Sequence, residues 1–109
     1  MPKFKILARL SSDRIAAALP PDYRERARMV AKAGVVYTVV LFDHDRSKGV
    51  VTSAAVRRAL ARIDADESIL AVGADFTREA TELLEEREAA IARIGEFGWT
   101  DESYHSLPR

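Results

Sequence analysis

Apolar and polar positions alternate at the start of the chain. Phe4 and Ile6, continued by Leu10, are interleaved with Lys3, Lys5 and Arg9. This period near two predicts a first strand over residues 3–10. Ser11 and Ser12 follow with hydroxyls suited to capping a short helix over 13–19, whose first turn carries Asp13. Pro20 and Pro21 end that helix, and Pro21 suits the opening turn of another over 22–33, closed by Gly34 as a left-handed C-terminal residue.

Residues 35–42 change the pattern. Val35, Val36, Val39, Val40, Leu41 and Phe42 run almost without a polar break, which predicts a central strand covered on both faces in a parallel sheet. A polar loop spans 43–49. Thr52 is placed to cap a helix over 53–63 with Val56, Leu60 and Ile63 on one face. A second buried strand is expected over 69–74, and a helix over 78–88 led by Thr77, with Ala80, Leu83 and Leu84 inward. Residues 90–94 read either as the end of that helix or as a short third parallel strand.

Strands alternating with helices define an α/β class: a small mixed or parallel sheet of three to four strands with helices packed on it. At 109 residues and 48% hydrophobic content the chain has the apolar surface for one core. One domain is expected over 1–99, with an acidic, flexible tail over 100–109. The absence of cysteine excludes a disulfide framework, a thiolate metal cluster and a cysteine nucleophile. The alternating N-terminus does not resemble a signal peptide, and no apolar run reaches the length of a membrane span, so a cytoplasmic location without membrane partners is expected.

The net charge of zero hides a strong asymmetry. Residues 1–33 hold eight basic and three acidic side chains, 34–63 five and two, and 64–109 four and twelve. Nucleic acid is the usual partner of such a basic half, while pairing of the opposite charges within or between protein chains is the alternative. Arg24, Arg28 and Lys32 recur every four residues as a stripe, joined by Arg26, and Arg57 and Arg58 with Arg62 make a second patch. Phosphate contacts need cations on one face, so Arg24, Arg28, Lys32, Lys48, Arg57 and Arg58 are the candidate nucleic-acid contacts. Tyr23 and Tyr37 are the only tyrosines in this half, which leaves base stacking without a platform.

Chemistry is expected at the carboxyl ends of parallel strands. There the sequence places Asp43, His44 and Asp45 after one strand and Asp75 after the next. Asp43, Asp45 and Asp75 are candidate ligands for magnesium and His44 a candidate general base, although carboxylates on loops are usually only solvated, and Asp75 equally suits the start of the cap before Thr77. No glycine-rich phosphate loop, dinucleotide fingerprint, nucleophile elbow or histidine pair at metal spacing is present. No cofactor is otherwise implied.

The run from Ile69 through Gly73, Asp75, Phe76 and Thr77 to Ala80, followed by residues 91–94, resembles the C-terminal half of the Mrr-type restriction endonucleases. The resemblance spans residues 35–94, little more than half the chain. It implies a strand and loop, a helix, a buried strand, a Phe-Thr pair that starts an acidic helix with Phe76 beneath it, and a short last strand. In that family an acid or glutamine followed by a lysine stands on the strand equivalent to 35–42 and serves magnesium-dependent cleavage. Here Val39, Val40, Leu41 and Phe42 fill those places, Asp43 lies just beyond, and the next lysine is Lys48. The resemblance thus implies the architecture without the nuclease chemistry and no catalytic residue.

Three functions compete on this reading. The first is a non-catalytic nucleic-acid-associated domain with a degenerate restriction-endonuclease-like architecture. The second is a protein-interaction or regulatory domain that forms homo-oligomers, for which Phe97 and Trp99 supply spare apolar surface. The third is a metal-dependent phosphodiesterase built on Asp43, Asp45 and Asp75.

Overall fold

The unbroken apolar run becomes the second of four strands in a single sheet. The computed structural model of the chain describes residues 4–42 and 50–93. Strands β1 (Phe4–Ser11), β2 (Val36–Phe42), β3 (Ile69–Gly73) and β4 (Ala90–Arg93) lie side by side in chain order. β2 and β3 are parallel, with Val39 opposite Leu70, and β3 and β4 are parallel, with Leu70 opposite Ala90. β1 runs antiparallel to β2, which makes the sheet mixed. The segment open to two readings in the sequence therefore contributes a strand, over Ala90–Arg93. The tail expected over 100–109 lies outside the described residues.

Helices α1 (Ser12–Ala18) and α2 (Pro21–Val30) cover one face of the sheet, and α3 (Ser53–Leu60) and α4 (Arg78–Glu86) cover the other. The strands supply both cores by alternation. Tyr37, Val39, Leu70 and Val72 point to Ile15, Leu19, Tyr23 and Ala27 under α1 and α2. Val40, Phe42, Ile69 and Ala71 point to Val56, Phe76, Ala80 and Leu84 under α3 and α4. Both faces being dry explains why the sequence of β2 and β3 shows no polar alternation. Leu70, fully buried, would cost about 2–5 kcal/mol on truncation to alanine.

Several boundaries differ from the periodic reading. α2 stops at Val30, three residues before the expected end, because Ala31 turns extended at ψ 127°. Gly34 does take the left-handed conformation, at φ 81°, but in the turn closed by the Val35 N–H on the Lys32 carbonyl and not as the helix cap. α3 stops at Leu60, although Ile63 beyond it is still buried. Thr77 caps α4 as expected, its Oγ1 accepting from the Ala80 N–H at 3.1 Å, whereas Ser11 and Thr52 make no side-chain cap bond. Among the described residues no helix is long and apolar enough to cross a membrane.

Candidate nucleic-acid interface

The basic stripe of α2 follows from how that helix sits on the sheet. Tyr23 and Ala27 are buried against the strands, so the positions one residue on, Arg24 and Arg28, fall on an exposed flank. Arg24 is held in place: its Nε donates to the Leu19 carbonyl at 3.0 Å, in the link between the two helices. Arg28 stands one turn further along, with no acidic partner among the described residues. The two arginines form one side of a cleft of about 530 Å3, and Ser12, Asp13, Ala16 and Ala17 of α1 form the other.

Asp13 is the member of this cleft that the charge pattern did not single out. The Ser11 hydroxyl donates to its Oδ1 at 2.6 Å. That bond, then an N–H of its own backbone and the nearby Arg14, hold its carboxyl below the ordinary aspartate range, so it is ionised at neutral pH. The signal lay in Ser11-Ser12-Asp13, where the first serine serves the acid and makes no cap bond to the helix.

The other predicted cations are placed elsewhere. Lys32 lies beyond the end of α2, out of helical register with Arg24 and Arg28, and its backbone N–H donates to the Tyr37 hydroxyl at 2.9 Å. It borders a second hollow with Val30, Val35 and Ile69, near the amino ends of the parallel strands. Arg57 and Arg58 are exposed on α3, across the sheet from α2, where α3 packs beside the glutamate-rich α4. Arg62 lies over the Phe4 ring, 5.6 Å from its centre. The six nucleic-acid candidates therefore do not share one face, and Lys48 falls outside the described residues.

At the carboxyl ends of β2 and β3, Asp43, His44 and Asp45 also lie outside the described residues. Asp75 is half-buried, and its Oδ1 accepts from the Phe76 N–H at 2.9 Å and from Arg93 at 3.2 Å. That carboxylate oxygen is thus engaged in a turn and in an ion pair with β4, a partner that local sequence does not reveal. Beside it the chain passes tightly: Val51 donates its N–H to the Asp75 carbonyl and accepts from the Thr77 N–H. Val51 and the Phe76 ring close over Gly73, where an added Cβ would meet the ring at 3.0 Å. Among the described residues no three acidic or histidine side chains converge as a metal site.

At the opposite end of the strands, Glu67 is a structural clamp. Its two oxygens accept from the Thr38 hydroxyl at 2.8 Å and the Asp64 N–H at 3.0 Å, with Arg9 3.9 Å away. The Thr38 bond, followed by that backbone bond, lowers its pKa below the ordinary glutamate value.

No protein-family model, curated protein or solved structure matches the chain.

Proposed function

We propose that this chain is a nucleic-acid-associated α/β domain that binds duplex DNA through its backbone and does not cleave it. The observation that carries this reading is the pair Arg24 and Arg28, exposed on one flank of α2 beside a cleft and in no ion pair with an acid among the described residues. Unpaired cations one turn apart suit successive contacts to phosphate oxygens. The resemblance to the Mrr-type endonucleases supports the association, and the apolar residues Val39 to Phe42 of β2 support binding without chemistry. A magnesium-dependent phosphodiesterase has less behind it, since Asp75 already serves Arg93 and Phe76.

The test is fluorescence anisotropy with a labelled duplex of unrelated sequences. Binding is expected with a Kd of about 10–100 μM at physiological salt, weakening steadily as salt rises and indifferent to sequence. Incubation with magnesium should leave a supercoiled plasmid intact. Absence of binding at about 50 mM salt would remove the reading.

A second reading, a protein-interaction domain, is favoured by one observation. Met29 is 68% exposed on the outer side of α2 and Val36 is 50% exposed at the start of β2. A concentration-dependent dimer in sedimentation, together with failure to bind DNA, would move the assignment there.

A further inference from the structure

We propose that the cleft between α1 and α2 is a seat for a backbone phosphate, held by Arg24 and Arg28 and deliberately weakened by Asp13 on its facing wall. This inference rests on the nucleic-acid reading above and makes it specific to one side of the sheet.

Three features of the cleft lead to it. First, the bond from Arg24 Nε to the Leu19 carbonyl fixes the plane of that guanidinium and leaves both Nη groups without a partner among the described residues. A planar fork held in advance loses less side-chain freedom on binding a phosphate than a free one does. Second, Arg28 projects from the next turn of the same helix, where side chains stand about 5–6 Å apart at their Cβ atoms, so two guanidinium groups reach the same anion. Third, the wall opposite them carries the Asp13 carboxylate, which accepts from the Ser11 hydroxyl at 2.6 Å.

The charges across the cleft are thus two positive and one negative. Such a site attracts a phosphodiester but holds it less tightly than the arginines alone would, and this keeps contact with any one stretch of DNA brief. Arg57 and Arg58, on the far side of the sheet, take no part. The domain therefore meets the duplex through its α1 and α2 layer, with α3 and α4 turned away.

The experiment measures DNA affinity against salt for the whole chain and three variants. Arg28→Gln changes an exposed residue with no bond among the described residues, so the fold is retained; it should reduce the slope of log affinity against log salt by about 0.9. Asp13→Asn should tighten binding a few-fold at low salt. The double variant Arg57→Gln, Arg58→Gln should keep the slope of the native chain. If the native chain binds DNA but Arg28→Gln keeps its slope, or Asp13→Asn binds more weakly, the phosphate seat is wrong and the nucleic-acid reading survives. If the native chain does not bind at all, both fall together.

Discussion

On the side of the sheet covered by α3 and α4, Thr77 caps a helix with its side chain, Phe42 meets Phe76 edge to face with ring centres 5.8 Å apart, and exposed arginines neighbour exposed glutamates. On the side covered by α1 and α2 the helices start without a side-chain cap, two prolines join them, and Arg24 and Arg28 stand without acidic partners among the described residues. The first layer sets its arginines on a helix that packs beside the glutamate-rich α4. The second sets two arginines at a cleft whose facing wall holds one acid, Asp13. The difference between the layers is one of placement, arginines beside glutamates on one side and arginines at a cleft on the other, and the proposed partner contact rests on the second.

Five substitutions would break or sharpen this contrast. The largest effect is expected from Phe76→Ala, which empties the centre of the α3 and α4 core; unfolding in denaturant should show a loss of about 3–5 kcal/mol. A loss below about 1 kcal/mol would mean that this layer does not anchor the fold. The two helix starts provide the next comparison. Thr77→Ala should cost about 1 kcal/mol, the usual worth of a capping side chain, whereas Ser11→Ala, which removes no cap bond, should stay within about 0.5 kcal/mol. Equal losses would erase the distinction between the capped start of α4 and the uncapped start of α1.

A gain is expected at Glu88, which follows α4 in a left-handed conformation at φ 56°. The N–H groups of Glu88 and Ala89 close the helix end on the carbonyls of Glu85 and Leu84, a geometry that glycine adopts most cheaply. Glu88→Gly should therefore raise stability by up to about 1 kcal/mol in thermal or denaturant unfolding. An unchanged or lower stability would show that the Glu88 side chain contributes something its exposure hides.

The smallest effect concerns pH. The Glu67 carboxyl has its pKa lowered by folding, so its contribution is complete above its unfolded value, near 4.5, and is lost as pH falls through the lower folded value. Thr38→Val removes the main cause and should flatten the acid side of the stability curve below about pH 4.5. If the native and variant curves stay parallel there, the clamp at Glu67 has no share in acid stability.

Much of the architecture was legible because burial on two faces leaves a mark in sequence. The runs that became β2 and β3, the helix between them and the Phe76-Thr77 start of α4 all follow from apolar continuity or capping chemistry. Strand direction at β1 was not legible, since a period of two reports a face and says nothing of which neighbour runs alongside. The end of α2 is not legible in the sequence, since Lys32 and Ala33 are both compatible with helix and the stop comes from the extended turn at Ala31. For the same reason a stripe spaced by four residues kept its spacing in sequence but lost Lys32 in space. Which face each cation occupies depends on the side of the sheet a helix packs against, so Arg28 and Arg57 could not be told apart beforehand. The acid in the cleft was hidden behind its neighbours' capping propensity.

The rings of Phe4, Phe42 and Phe76 form a chain across the sheet, with centres 6.1 and 5.8 Å apart, and Arg62 of the turn after α3 rests on the first of them. The end of an edge strand such as β1 would ordinarily open on its own, exchanging its amide hydrogens with solvent long before the centre does. Here the ring chain carries the beginning of β1 into the same cooperative unit as β2 and the entry to α4. Slow exchange then extends to Phe4 itself, and the beginning of β1 shares the lifetime of the core.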